Sequence, residues 1–314
     1  MCGAERSRGY DVMTRVLVVG SGFFKPGFEL LAGEEIQLSY LDKDLEWKRL
    51  NLIQKIRLIA AHDIVHFFWA RVAISNLLLA LLMRKSVIQD YIGSDVLLTL
   101  KSKRKVVTQK LLARWGVNLF AGSEQLSLEL KDAGIDSITL PFVNRDIRNA
   151  FTAYPKELTV LTYVPDGKEE FYGLPAILAC ARKFPHIRFT ILRNTRDFAL
   201  SNVCTIPFVP WEDMDKLYNE HNIYLRLTKH DSLSTAVVEA LACARHVIWT
   251  QPFPYCYQVA NEKDLDRLLA NQKVFKEPNR KGQRYVLEHF SLSLLRSIYQ
   301  AAWQSITFHV KGHS

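Results

Sequence analysis

The sequence predicts an α/β protein made of two doubly wound, Rossmann-like domains that face each other across a cleft. Short apolar runs rich in β-branched residues alternate with stretches of helical periodicity, as in parallel sheets covered by helices on both faces. The alternation restarts after a polar, proline-containing stretch in the middle of the chain. The chain has 314 residues. That is long for a single core and sufficient for two domains of about 150 residues each.

The first half begins with the run RVLVV and continues through alternating strands and helices. Val16 to Val19 form a β-branched strand that leads into a glycine-rich turn. A second strand is predicted at Glu35 to Asp42, a helix at Leu50 to Ala61 and a strand at Ile64 to Phe68. The later elements of this half are the helix SNLLLALLM, the strand in KSVIQDYIGSDV, and a strand and a helix in NLFAGSEQLSLELKDAG.

The stretch from Asn144 to Glu157 has no strong period and is predicted to be the hinge. After it, LTVLTYV, IRFTILR, VCTIPFV, IYLRLT and HVIWT are predicted strands, and GLPAILACARKFP, WEDMDKLYNEH and STAVVEALACA are predicted helices. We expect a flexible tail at residues 1–14, a first domain at 15–150, a second domain at 151–295, and a C-terminal helix at 296–314 that packs back on the first domain. Ligands of such domains bind at the carboxyl ends of the strands.

The composition is that of a globular protein, with 48% hydrophobic and 23% charged residues, which excludes a disordered, collagen-like or repeat architecture. The formal net charge is +9. Positive charge concentrates in KSKRK, from Lys101 to Lys105, followed by Lys110 and Arg114. One interpretation is a solvated helix face, and the other is a patch for anionic lipid or an acidic acceptor. No aromatic-interleaved basic motif indicates nucleic acid.

Cysteine usage and hydropathy indicate a cytoplasmic protein, either free in the cytoplasm or at the inner face of a membrane. The five cysteines are scattered without a CxxC pair, as expected of free thiols in a reducing compartment. Met1 to Tyr10 is polar and charged, so no signal peptide is expected. The longest apolar run, Leu77 to Met83, is too short to span a bilayer, so any membrane association would be peripheral and weak.

A glycine-rich turn, Gly20-Ser21-Gly22, follows the first strand and would let backbone N–H groups approach a phosphate. Asp42 lies 22 residues after Gly20, roughly where a dinucleotide enzyme holds its ribose-binding acid. Lys25 stands where that motif needs a small residue. An NAD(P)-dependent oxidoreductase using Gly20, Gly22 and Asp42 is therefore one alternative, and a tight turn without a ligand is another.

A single acid, Glu239, lies inside the apolar helical run AVVEALA. Its neighbours predict burial, and a buried carboxylate without partners costs several kcal/mol. An internal pair with Arg226, Arg245 or His246 would satisfy it. Ligand hydroxyls are the alternative, because two of them can donate to one carboxylate.

A second acid, Asp231, precedes Glu239 by eight residues and follows a predicted strand. Asp231, Ser232 and Ser234 can each cap the helix that holds Glu239. Alternatively, they leave the first N–H groups of that helix free for an anion.

The segment HDSLSTAVVEALACARHVIWT resembles the signature of family-4 glycosyltransferases of the GT-B type. That signature has an acid, a short glycine-containing loop, a second acid eight residues on, small helical residues and a strand. The resemblance covers residues 15 to 310, because DIVH, IGSDV, AGSEQLSLEL, FVPWEDMDKLY and the C-terminal helix follow in the expected order.

The resemblance implies a nucleotide-sugar site in the second domain. Glu239 would bind the ribose hydroxyls, and Asp231 would be catalytic, holding the donor sugar. The other residues that it implies are a phosphate- and sugar-facing loop (His230, Ser232, Leu233, Ser234), a base-binding segment (Phe208 to Trp211, including Pro210), a phosphate-facing Gly22, and two catalytic positions of the first domain (His66 and Asp95). From the residues alone, His66 is equally a satisfied interior histidine, and Asp95 equally a helix N-cap.

The chain departs from the family where the diphosphate should be bound. The usual Arg and Lys positions fall in YVPDGKEEFYG, at Asp166 or Pro165 and at Tyr172, so neither is basic. Departure of a diphosphate needs positive charge or aligned dipoles. The candidates for that charge are Lys168, Arg193 and Arg226.

We therefore expect a retaining, metal-independent hexosyltransferase that uses a UDP or GDP sugar and an acceptor hydroxyl. No metal-ligand cluster appears in the sequence, and no cofactor besides the nucleotide-sugar cosubstrate is expected. The basic stretch favours a lipid-linked or anionic acceptor, and nucleic acid is not an expected partner. A nucleotide-sugar epimerase of the same fold and a non-catalytic scaffold are the alternatives.

Overall fold

The structure is a computed structural model that describes residues 13–69 and 73–311, with residues 307–311 described by their backbone. The chain divides into two compact units, residues 1–145 with 292–314, and residues 146–291. Most of the predicted tail lies outside the described residues. Its last residue, Thr14, already belongs to the first strand.

The first unit is a parallel sheet of six strands with helices on both faces. Its strands are β1 (Thr14–Gly20), β2 (Ile36–Asp42), β3 (Ile64–Phe68), β4 (Ser86–Tyr91), β5 (Val117–Ala121) and β6 (Ile138–Thr139). Its helices are α1 (Lys25–Leu31), α2 (Leu52–Ala60), α3 (Ile74–Leu82), α4 (Ser94–Leu100), α5 (Lys103–Arg114) and α6 (Glu124–Asp132), and the last helix of the chain, Leu292–Lys311, also belongs here. The strand order is β2-β1-β3-β4-β5-β6, so the direction of winding reverses between β1 and β3.

Side chains alternate between the two faces of this sheet. On one face, Val65 of β3 and Val87 of β4 share a hydrophobic cluster with Ile59 of α2, Leu77 of α3 and Leu112 of α5. The opposite face is covered by α1 and the C-terminal helix, where the side chains of Phe28, Tyr299 and Trp303 are fully buried. The strands β3 and β4 are buried along their whole length, so β4 buries the polar residues Gln89 and Asp90 as well as its apolar ones.

The second unit repeats this architecture. Its strands are β7 (Thr159–Tyr163), β8 (Arg188–Leu192), β9 (Val203–Ile206), β10 (Ile223–Arg226), β11 (His246–Trp249) and β12 (Tyr257–Gln258). Its helices are α7 (Leu174–Lys183), α8 (Met214–Asn219), α9 (Thr235–Ala242), α10 (Glu262–Ala270) and α11 (Arg280–His289), and the C-terminal helix of the first unit is therefore α12. The strand order is β12-β11-β10-β7-β8-β9, and all neighbours are parallel. The winding reverses between β7 and β10.

The predicted alternation of strands and helices, and with it the doubly wound fold class, is confirmed. The short elements that the sequence patterns did not assign include α1, α4 and β12. The chain passes into the second unit after Arg145, whereas the prediction placed the boundary at 150/151. Within the described residues, none of the helices combines the length and apolar character needed to cross a membrane.

Candidate functional site

Two loops meet at the carboxyl edge of the second sheet, at its topological switch point. One follows β7 and the other follows β10. The N–H of Lys229 donates to the carbonyl of Phe171 at 3.0 Å, which ties the loops together. Gly173 has φ +69°, and a Cβ there would lie 2.7 Å from the Cβ of Leu227, so the contact requires glycine. Crevices at such switch points are where doubly wound domains bind ligands.

Asp231 lies in the loop after β10 and is held in an ion pair. Its Oδ2 accepts from the Nε of Arg226 at 2.5 Å and from the hydroxyl of Thr228 at 3.3 Å. Its Oδ1 accepts from the N–H of Ser232 at 3.1 Å. The two charged side chains are only 12% and 16% exposed. Burial acts to lower the pKa of Arg226, but Asp231 and Tyr224 raise it above its ordinary value, so the guanidinium stays charged.

Helix α9 begins immediately after this loop. Its N-cap residue, Ser234, is buried and makes no side-chain capping bond. Ser232 is also buried, while His230 and Leu233 are half-buried. The sequence therefore places two small hydroxyl residues at the start of α9, where the helix dipole favours an anion.

Glu239 is the fifth residue of α9 and is 7% exposed. Its Oε2 accepts from the hydroxyl of Tyr218 on α8 at 2.9 Å. Burial and the nearby carboxylate of Glu239 raise the pKa of Tyr218 well above its ordinary value, so the tyrosine remains a donor. Tyr218 was not among the predicted site residues.

The three basic residues that were considered as partners of Glu239 contact other groups. Arg226 pairs with Asp231. Arg245 donates to the carbonyls of Cys243, His221 and Ala153 and to the side chain of Asn219. The Nε2 of His246 lies 2.8 Å from the carbonyl of Glu277. The internal ion pair predicted as one alternative for Glu239 therefore does not form with any of these three residues.

The candidate cations for a diphosphate differ in their surroundings. Lys168 is exposed in the loop after β7. Arg193 follows β8 with φ +62°, and its guanidinium lies 5.8 Å from the ring centre of Phe208, which is 65% exposed. Pro210 follows in the same loop and caps a short 3-10 helix. Asp166, by contrast, accepts from the hydroxyl of Thr195 at 2.9 Å.

Arg226 lies beside the residue that stands where the family resemblance expects a lysine. Tyr172 occupies that position in the sequence, and the Arg226 guanidinium lies 5.7 Å from the centre of its ring. Of the three candidate cations, Arg226 is the one that lies against Tyr172, and it belongs to the end of β10.

The glycine-rich turn after β1 is occupied by side chains of this chain. The hydroxyl of Tyr40 donates to the carbonyl of Ser21 at 2.5 Å, and the N–H of Gly22 donates to Oδ2 of Asp42. Burial opposes the charge on Asp42, but the N–H groups of Leu45, Asp44 and Gly22 hold its pKa below the ordinary value. The N–H of Gly22 and the carboxylate of Asp42, which a dinucleotide would need, are thus bonded to each other, which argues against the oxidoreductase alternative.

His66 and Asp95 are both buried in the first unit. His66 lies inside β3, is 0% exposed, and has its Nε2 3.4 Å from Oδ2 of Asp90. Trp303 donates to its Nδ1 at 3.4 Å. Asp95 lies in the first turn of α4, buried, and its carboxylate accepts from the N–H groups of Ile92, Gly93 and Val96. His66 is therefore an interior residue, as one interpretation predicted. The N-cap interpretation of Asp95 is wrong, because the N-cap residue of α4 is Gly93 and Asp95 lies within the first turn.

Neither a protein-family profile nor a curated protein matches this chain. Solved structures match it over 93% of its length. Anabaena HepE in complex with UDP is similar with a TM-score of 0.71 at 10% identity, over 100% of that chain. Sucrose-phosphate synthase from Thermosynechococcus elongatus gives 0.69 at 12% identity over 99% of its chain. The lipopolysaccharide outer core galactosyltransferase WaaB gives 0.67 at 12% identity over 99% of its chain.

These similarities define the class of the protein by its fold. It has the GT-B fold of two Rossmann-like domains, as the sequence resemblance predicted. Within the described residues, no group of three or more His, Cys, Asp or Glu side chains is placed to hold a metal ion.

Proposed function

We propose that the protein is a glycosyltransferase that moves a sugar from a nucleoside diphosphate sugar to an acceptor hydroxyl, with retention of configuration and without a metal. The GT-B fold supports this proposal, as do the solved neighbours described with UDP and UDP-glucose. UDP is therefore the first nucleotide to test.

The observation that carries the proposal is the environment of Glu239. This carboxylate is 7% exposed and lies on α9, the helix that follows the loop after β10 at the topological switch point. The hydroxyl of Tyr218 donates to its Oε2 at 2.9 Å. We propose that the two ribose hydroxyls of the donor bind to the same carboxylate, with Tyr218 fixing its orientation.

The diphosphate would bind at the start of α9. Ser232 and Ser234 lie there with the first N–H groups of the helix, and Arg226 contributes a fixed positive charge. In this proposal Asp231 holds the Nε of Arg226 and orients the guanidinium toward the phosphates. Its carboxylate is therefore a positioning group, because Arg226, Thr228 and Ser232 already occupy it.

The base would bind at the loop after β9. The exposed ring of Phe208 offers a face for stacking, and Arg193 lies over that ring. Pro210 shapes the same loop, and Lys168 lies in the loop after β7, which is separated from β9 by β8. The sugar would then lie beside His230 and Leu233.

In the proposed reaction the bond from the anomeric carbon to the distal phosphate oxygen breaks. The acceptor oxygen bonds to that carbon on the same face, and its proton passes to the departing phosphate oxygen. Arg226 and the N–H groups of α9 offset the charge that develops on the diphosphate. Because these groups are fixed before the reaction, they need no reorganisation as the charge appears.

Nucleotide binding tests the site. Glu239→Gln keeps the size of the side chain and an oxygen for Tyr218, but it removes the charge. We expect about a 10- to 100-fold loss of UDP affinity in titration calorimetry, since hydrogen bonds to charged groups contribute about 1.5–3 kcal/mol. Glu288→Gln, on the exposed side of α11, is the matched control and should bind as the parent does. Equal affinity in Glu239→Gln would refute the ribose assignment, and stabilisation by NAD(P) instead of UDP or GDP would favour the oxidoreductase.

Turnover tests the reaction. A panel of UDP and GDP sugars with hydroxyl acceptors, followed by NMR of the product, identifies transfer and its anomeric outcome. Retention and turnover unaffected by EDTA are expected. An inverted product or loss of turnover in EDTA would overturn the corresponding part of the proposal, and a changed sugar still attached to its nucleotide would identify an epimerase.

A further inference from the structure

Helix α5 carries a row of basic side chains and an adjacent row of apolar side chains on its exposed side. At 100° per residue, three of its five basic residues, Lys103, Lys110 and Arg114, fall within about 40° of one another. The apolar residues Val107 and Leu111, with the C-cap Trp115, follow at spacings of four and lie directly beside them. We call these six residues the α5 strip.

The apolar half of the α5 strip is in solvent. Val107 is 55% exposed, Leu111 42% and Trp115 57%. The helix is anchored on its other side by the buried residues Gln109 and Leu112. The strip is therefore held in place by the core and presents large apolar side chains that the first unit does not cover.

The basic half of the strip is not neutralised. Among the described residues, Lys103, Lys110 and Arg114 take part in no ion pair, and neither do their neighbours Arg104 and Lys105. The sequence contains no acid between Asp95 and Glu124. Positive charge therefore accumulates along α5 without a compensating group on the same helix.

Neighbouring helices on the same face of the sheet add exposed apolar side chains. α2, α3 and α5 cover one face, since their buried residues share a single hydrophobic cluster. On this face Leu82 at the end of α3 is 83% exposed, and Leu52 and Ile53 at the start of α2 are each 62% exposed. Such a concentration of exposed apolar side chains marks an interaction surface.

We propose that the α5 strip docks the protein on an anionic lipid bilayer. The basic side chains would lie at the lipid phosphates, and Val107, Leu111 and Trp115 would enter the boundary between headgroups and acyl chains. Tryptophan is favoured at that depth. A nucleic acid would match the charges but would leave the apolar strip in water. The proposal does not depend on the proposed glycosyltransferase activity.

Vesicle co-sedimentation tests the electrostatic half. The full chain should pellet with phosphatidylcholine vesicles that contain phosphatidylglycerol, and high salt should release most of it. The variant Lys103→Gln, Lys110→Gln, Arg114→Gln should bind these vesicles about a hundredfold more weakly, from the loss of three charges near the surface. The control Lys263→Gln, Lys273→Gln, Lys276→Gln removes the same net charge from exposed sites of the second unit and should bind nearly as the parent does.

Quenching of tryptophan fluorescence by brominated lipid tests insertion. The parent should be quenched on anionic vesicles, and Trp115→Phe should lose most of that quenching while still pelleting. Absence of binding to anionic vesicles at low salt would overturn the proposal, as would equal weakening by the control variant or quenching unchanged in Trp115→Phe. Binding of a DNA or RNA duplex in preference to anionic vesicles, through the same three basic residues, would overturn it in favour of a nucleic-acid surface.

Discussion

The Nε of Arg226 donates to Oδ2 of Asp231 at 2.5 Å, at the carboxyl end of β10, and both side chains are largely buried. A buried pair of this kind is sensitive to the loss of one partner, because the remaining charge keeps its desolvation cost. The pair joins the end of a central strand to the loop that precedes α9. It therefore links the stability of the second unit to the geometry of the proposed phosphate site.

Removal of Arg226 should destabilise the second unit strongly. Arg226→Met leaves the Asp231 carboxylate buried without its cation, and we expect a loss of about 3–5 kcal/mol in the free energy of unfolding. The double variant Arg226→Met, Asp231→Leu should recover much of this loss. Urea unfolding of both single variants and the double variant forms a double-mutant cycle. Strictly additive changes would show that the two residues do not act as a pair.

The protein should become less stable at acidic pH because it buries the neutral side chain of His221. His221 contacts the carbonyl of Leu217 and the hydroxyl of Thr190, each at 2.8 Å, and burial lowers its pKa to about 4. Between pH 6.5 and 4 the unfolded chain binds a proton that the folded protein does not bind. The free energy of unfolding should therefore decrease by about 3 kcal/mol as the pH falls through this window.

The measurement is the urea midpoint as a function of pH. His221→Gln should flatten the slope between pH 6.5 and 4, whatever its effect at neutral pH. His289→Gln, at an exposed histidine of the same unit, is the control. A slope that survives in His221→Gln would assign the acid sensitivity to other groups.

We predict that Asp95 stabilises the fold and takes no part in the reaction. Two substitutions test this, one that removes its hydrogen bonds and one that removes only its charge. Its Oδ1 accepts from the N–H groups of Ile92, Gly93 and Val96. Asp95→Ala should lower the free energy of unfolding by about 1–3 kcal/mol. Asp95→Asn retains this oxygen and should keep both stability and turnover. Loss of turnover in a stable Asp95→Asn protein would identify the carboxylate as a participant in the reaction.

Sequence patterns predicted the doubly wound units because the periodicity of a strand or a helix depends only on residues that are close together in the sequence. The short α4 has only seven residues, too few for a helical period to stand out between a strand and the basic helix α5. The boundary between the units was placed too late because Asp146 to Glu157 is irregular and offers no period to either side.

The site was predictable where a motif is contiguous and not where partners come from distant elements. The segment from Asp231 to Glu239 indicated a loop followed by a helix, which is what the structure contains. Tyr218 reaches Glu239 from a different helix, and nothing in the sequence spacing points to that contact. His66 was ambiguous for the same reason, since Trp303 contacts it across 237 positions of the chain.

The position of α12 has a consequence for the order in which the protein matures on the ribosome. Trp303 and Tyr299 complete the interior of the first unit against β3 and α1, yet they are translated after the whole of the second unit. Residues 146–291 form an uninterrupted stretch and emerge complete while the amino-terminal unit still lacks its final helix. The half that is made first is therefore the half that finishes last, and until α12 has been made it exposes the apolar surface that this helix will cover.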